Sequence, residues 1–250
     1  MGVPMGNDDY RHFELTLLQS WQLRQGSSQS FQFVHVAARQ QRLITALAIS
    51  GPRPRSYLAG LLWPENSETR ALESLRVSVH IVSRQIPGLL VKDGALLSLS
   101  PHVDIDLQRV RAEIAELREV GFNGNAASCV RQLRDAELLP GCYDDWVLFE
   151  QARLRWDRLH ALLHIARESL RRRDYQVVVE ASRAAQELEP LHESAVRYLV
   201  QAERQRGIYA SALRALEMFQ TQLKQDIGLE PSKDLRRLIA DLVTSQTVPD

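Results

Sequence analysis

The sequence predicts a mostly α-helical chain in two parts. The front is a small α+β domain over residues 1–103, and the back is an all-α helical repeat over 104–250. Three observations carry this. Alternating apolar and polar residues are confined to the first hundred positions. Three helical patterns are followed by a hairpin signal at Asp93-Gly94. Tyrosines 34 residues apart, Tyr175 and Tyr209, mark an internal repeat.

Taken in order, Phe13, Leu15 and Leu17 alternate with His12, Glu14 and Thr16, as in a half-buried strand. Trp21-Gln-Leu-Arg24 and Phe31-Gln-Phe-Val-His35 repeat the alternation, with a Gly-Ser-Ser turn at 26–28 between them. Ala38–Ser50 follows as a helix with Leu43, Ala46, Leu47 and Ile49 on one face, stopped by Gly51-Pro-Arg-Pro54. Ser56 is expected to cap a short helix, Tyr57–Leu62, that Trp63-Pro64 ends. Asn66–Thr69 reads as a polar loop. The next helix runs from about Arg70 to Ile86, with Leu72, Leu75, Val79, Val82 and Ile86 as its buried stripe. Leu89-Leu-Val-Lys92 and Ala95-Leu-Leu-Ser-Leu99 flank Asp93-Gly94 as a tight hairpin. Strands, three helices and a hairpin make a winged helix–turn–helix.

From Val103 onward the strand signals vanish. Asp104–Val120 and Ala126–Leu138 read as helices separated by Asn123-Gly-Asn125, and a long helix runs from about Val147 through Arg171. At the 34-residue offset Ala166 matches Val200 and Ala181 matches Ala215, the small residues needed where stacked helices cross. This back half is tetratricopeptide-like. After the Gly228–Pro231 break, a last helix capped by Ser232 presents Leu235, Leu238, Ile239 and Leu242 to cover the end of the stack.

Composition narrows the function. The formal net charge is zero, but it is unevenly spread. Residues 1–103 carry ten lysines and arginines against seven acids, and 104–250 carry 21 against 24. That balance suits a nucleic-acid-facing module joined to a protein-facing one. No apolar run has the roughly 20 residues a membrane span needs. The first residues, MGVPMGNDDYRHF, lack a basic region followed by an apolar run, so a cytoplasmic protein is expected. Cys129 and Cys142 have no metal-ligand spacing and read as reduced thiols.

On the helix at 70–86, Arg76, His80 and Arg84 recur every four residues beside Glu73 and Val77, away from the apolar stripe. Such a face can enter a DNA major groove, where arginine pairs with guanine O6 and N7. Arg53, Arg55, Arg70 and Lys92 would sit at the edges, on phosphates. Three basic residues would equally suit a solvated face; the order of elements favours DNA. Other polar clusters do not make a catalytic or metal site. Asp104 and Asp106 read as a charged exit from one domain to the next, and Asp144-Asp145 as the capped start of the following helix. His160 and His164, four apart, lack a third ligand. There is no phosphate-binding glycine loop or serine elbow. No cofactor, metal or enzymatic activity is expected.

These residues resemble the SARP family of bacterial transcriptional activators over essentially the whole chain. Leu58-Ala-Gly-Leu-Leu-Trp-Pro-Glu65 is similar to the second-helix segment of the family's OmpR/PhoB-type winged helix, and Ala71-Leu-Glu-Ser-Leu-Arg-Val77 to the start of its recognition helix. Leu138–Val147, then Glu150, Arg153 and Leu154, resemble the bacterial transcriptional activation domain, as does Ile227-Gly-Leu-Glu-Pro231. The resemblance implies a homodimer, paired head-to-tail on direct repeats of double-stranded DNA upstream of a promoter, recruiting RNA polymerase. It makes the hairpin at 89–99 the wing. One departure stands out: in Ser78-Val-His-Ile-Val-Ser-Arg84, Ile81 and Ser83 replace arginines common in the family. With fewer cations on the phosphates, both affinity and its salt dependence fall, while Ile81 suits contact with a thymine methyl. A protein-interaction adaptor whose winged helix binds DNA weakly or not at all is the alternative reading.

Overall fold

A computed structural model describes residues 12–27, 30–119 and 125–244, the side chains of Ser27 and of 239–244 excepted. Ser28 of the expected turn, the helix end at Val120, Asn123-Gly124 of the expected break, and the Ile239 and Leu242 side chains lie outside the described residues. So does most of the N-terminal leader reading. The chain is mostly helical, with sheet confined to the front half and a helical repeat behind it, the fold class read from sequence. It packs as two compact units: Met1–Arg109 with Glu137–Gln151, and Val110–Ala136 with Ala152–Asp250.

In the first unit, β1 (His12–Thr16), β2 (Gln22–Ser27) and β3 (Ser30–Phe33) form an antiparallel meander. Phe13, Leu15 and Leu23 point inward and are almost fully buried. Gly26 lies inside β2, paired with His12 and Phe31, and does not belong to the turn expected at 26–28. A Cβ there would stand 2.0 Å from the Ser30 carbonyl oxygen, so only glycine permits the two strands to close this tightly. A strand absent from the sequence reading, β7 (Val103–Ile105), pairs in parallel with β1. Three residues are too few to display a period, but Val103 and Ile105 are buried as a strand's inward positions are. The helix expected from Asp104 therefore starts at Asp106 as α4 (Asp106–Glu119).

Asp106 is the knot of this region. Its carboxylate accepts from the backbone N–H of Leu17 (2.9 Å), Leu18 (3.0 Å) and Leu107 (2.7 Å). It thus satisfies a backbone donor in the first turn of α4 and fixes the chain as it leaves β1. Asp104 pairs with Arg109. The segment Glu137–Gln151 adds to the same edge. Leu18 bridges Leu138, Leu139 N–H donates to Leu17 (2.9 Å), and Gln151 Nε2 donates to the Leu138 carbonyl (2.8 Å).

Three helices complete the unit: α1 (Ala38–Ser50), α2 (Arg55–Leu62) and α3 (Glu68–Gln85). Helix α1 has the bounds read from its apolar face. Helix α2 starts one residue before Ser56, which is therefore not its cap. Pro54, with φ of −61°, leads directly into it. Helix α3 takes up Glu68 and Thr69 of the expected loop. The Ser67 carbonyl accepts from Ala71 N–H, and Glu68 places a carboxylate at the positive helix start. A second sheet orders β4 (Arg53–Pro54), β6 (Leu96–Leu99) and β5 (Leu90–Asp93). Its turn is Gly94-Ala95, with Asp93 paired to Leu96, one residue beyond the expected pair. Gly94, at φ of 55°, supplies the left-handed residue that so tight a turn needs. Leu43, Ile44, Leu47, Leu58, Leu62, Leu75, Ile86 and Leu97 fill the core. Each contributes about 1.5–3 kcal/mol by leaving water.

The second unit contains α5 (Ala126–Asp135), the greater part of α6 (Asp145–Arg171), α7 (Tyr175–Leu188), α8 (Glu193–Gln205), α9 (Tyr209–Ile227) and α10 (Lys233–Thr244). Tyr175 and Tyr209 open α7 and α9, so the 34-residue period is a helix pair. The residues read from that offset are packed inside the helical unit: Ala166, Ala181 and Val200 are fully buried and Ala215 is partly so. Leu235 and Leu238 of α10 cover Val196, Val200, Leu216, Phe219 and Leu223. Ser232 Oγ accepts from Leu235 N–H (3.3 Å), the expected cap, and its own N–H is held by Glu193 (3.0 Å).

Candidate nucleic-acid interface

Helices α2 and α3 meet across a short turn, Trp63–Ser67, and the α3 stripe decides what faces outward. Ala71, Leu75, Ser78, Val79 and Val82 are buried on α3, with Ile86 just beyond it. Leu72, expected in that stripe, is only half-buried, because Ala71 takes the inward place one residue earlier. The outward face carries Arg70, Glu73, Arg76, Val77, His80 and Arg84, all exposed, with Ile81 half-buried beside them. Val77 is 52% exposed, high for an aliphatic side chain.

Four of the nine residues singled out from sequence line one hollow of about 320 Å³. Arg55 comes from the first residue of α2, Arg76 and His80 from successive turns of α3, and Lys92 from β5. Leu72, Leu75 and Val79 form its apolar floor. No acidic residue lines it, and among the described residues none of its three permanent cations has an ion-pair partner. Unpaired cations over an apolar floor make a local field that favours an anion, since the low-dielectric wall weakens screening.

The other five stand around this hollow rather than in it. Arg70 lies in the first turn of α3 and Arg84 in its last, with Val77 and Ile81 along the helix between them. Arg53, in β4, lays its guanidinium over the Tyr57 ring, 5.5 Å from the centroid. Tyr57 was missing from the sequence reading of the site. It is 47% exposed, and because Arg53 stands in a strand and Tyr57 in a helix, no single period in the sequence linked them.

The remaining polar clusters are occupied with partners of their own. Asp144, expected to cap α6, gives only its backbone carbonyl to that helix, accepting from Val147 N–H at 2.8 Å. Its carboxylate takes both Arg42 Nε (3.0 Å) and Nη2 (2.9 Å). His160 stands edge-on to Trp156 with centroids 4.4 Å apart, and His164 Nδ1 faces Arg167. No three His, Cys, Asp or Glu side chains among the described residues are grouped to hold a metal ion. No helix among them is long and apolar enough to cross a membrane.

Comparison with known proteins bears on both halves. Residues 105–243 match the bacterial transcriptional activator domain. No curated protein matches the sequence. Among solved structures, Mycobacterium tuberculosis EmbR in complex with a low-affinity phosphopeptide superposes with a TM-score of 0.70 at 20% identity. The alignment covers 96% of this chain and 67% of that one. At that identity the likeness is one of fold.

Proposed function

Since this chain belongs to the bacterial transcriptional activator domain family, we propose that it is a SARP-type transcriptional regulator whose residues 1–103 bind double-stranded DNA and 104–250 make protein contacts. Helix α3 lies in the major groove. Arg76, His80 and Arg84 face base edges, and Val77 and Ile81 provide apolar contact with thymine methyls. Arg53, Arg55, Arg70 and Lys92 hold phosphates, and the β5–β6 hairpin is the wing. The protein acts in the cytoplasm as a homodimer on direct repeats, recruiting RNA polymerase.

The observation that carries this reading is the convergence of Arg55, Arg76, His80 and Lys92 on one acid-free hollow beside the outward face of α3. Its test is an anisotropy titration of a promoter duplex. Arg76→Ala is expected to weaken binding by about 1–3 kcal/mol and to relax discrimination at one base position. Unchanged affinity removes Arg76 from the interface. The exposed Val77 and the half-buried Ile81 favour a second reading, an adaptor whose winged helix has little DNA affinity. That reading predicts no binding of random duplex at moderate salt, where the first predicts weak, steeply salt-dependent binding.

A further inference from the structure

A second concavity lies wholly within the helical unit and is not used by the DNA reading. It is a groove of about 430 Å³ with walls from α7 and α9 and Leu199 of α8 among its lining. On α7, Arg183 and Gln186 face it one turn apart; on α9, Arg214 and Met218 do the same, with Phe219 beneath. Phe219 and Leu199 are only 4% and 5% exposed, but Met218 beside them is 73% exposed. An exposed thioether over an apolar floor is a surface that repacks around a guest side chain.

The charge of the groove is one-sided. Its lining contains two arginines and no acid. Arg183 is steered by the buried Glu203, its Nη2 donating to Oε1 at 3.4 Å, but that carboxylate also accepts from Arg206 (3.3 Å) and Ser211 (3.1 Å). The acid is thus divided among three donors. Arg214 is exposed and has no ion-pair or hydrogen-bond partner among the described residues. Gln186 and Gln222 place an amide on either wall, each able to donate and accept, as an extended peptide backbone requires.

We propose that this groove binds an acidic peptide segment of a partner protein. A carboxylate of the peptide sits between Arg183 and Arg214, and a neighbouring apolar side chain rests on Met218 and Phe219. One carboxylate suits this groove better than a phosphodiester chain does. A nucleic acid needs cations that continue along its track, whereas Glu217 is exposed on α9 itself and Arg134, the cation next to α7, is already paired with Glu187.

The test uses the full chain and a fluorescein-labelled decapeptide of alternating Glu and Leu, with a matched peptide carrying Gln for every Glu. Saturable anisotropy binding of the Glu peptide is expected, with the Gln peptide at least about tenfold weaker. Arg214→Glu and Arg214→Gln should each weaken the Glu peptide by about tenfold or more, and Met218→Ser should weaken it further. Arg76→Ala should leave it unchanged, which separates this site from the DNA reading. Equal binding of the two peptides overturns the proposal, as does unchanged binding by an Arg214 variant with an unaltered circular-dichroism melt. Displacement of the peptide by random duplex from the Arg76→Ala protein identifies a nucleic-acid site instead. Loss of a dimer in sedimentation on Arg214→Gln identifies a second copy as the occupant.

Discussion

Two carboxylates show how single side chains tie distant segments together. Asp106 holds three backbone N–H groups from two places 88 or more residues apart in sequence. Glu203, 2% exposed, gathers Arg183 from α7, Arg206 from the end of α8 and Ser211 from α9. A buried carboxylate is tolerated only when hydrogen-bonded, and three donors satisfy this one. Glu203→Gln keeps the shape and an acceptor for Ser211, but turns amide hydrogens towards an arginine. The guanidinium groups of Arg183 and Arg206 still reach solvent, so the loss is smaller than for a fully buried pair. We expect about 1–3 kcal/mol, read as a lower urea midpoint at unchanged slope. An unaltered midpoint would show that Glu203 does not hold the repeats together.

At the scale of elements, what the sequence reveals follows from how long each pattern runs. Helix α1 and the 34-residue repeat were legible because their apolar spacing persists over several turns. Strand β7 was not, since Val103-Asp-Ile105 gains its strand character only from lying beside β1. The hollow was partly legible. The helical period gave Arg76 and His80 a shared face, but no local pattern shows that Arg55 and Lys92 reach the same space. Nor could spacing show that Leu72 leaves the core to line it. Gly26 was legible as a glycine but misread as a turn, because its constraint is a neighbouring strand. Gly26→Ala tests this. The added methyl meets the Ser30 carbonyl and the Phe31 Cα, both backbone atoms, so the strands must separate. A loss of about 1–3 kcal/mol is expected, with faster amide exchange confined to β2 and β3. Wild-type stability would mean that the hairpin closes more loosely than its register implies.

For the molecule as a whole, zero net charge shapes how it would find DNA. A protein with a large positive field is steered to DNA over long distances. Here ten cations against seven acids in 1–103 are cancelled by the acidic excess of 104–250. Attraction must then be local, acting once the hollow and the edges of α3 are within about a Debye length, roughly 10 Å at 0.1 M salt. Affinity should therefore depend steeply on salt through dissociation, with an association rate far less sensitive to it. If Arg53, Arg55, Arg70 and Lys92 each neutralise one phosphate, the slope of log Kobs against log salt is about −3.6 per bound protomer, at roughly 0.9 per contact. Lys92→Ala should flatten that slope by about 0.9 and weaken promoter and random duplexes alike, because a phosphate contact carries no sequence information. Titrations between about 50 and 200 mM salt measure both quantities. A Lys92→Ala protein with an unchanged slope, or one that loses affinity only for the promoter, would remove Lys92 from the backbone contacts and move the wing away from DNA.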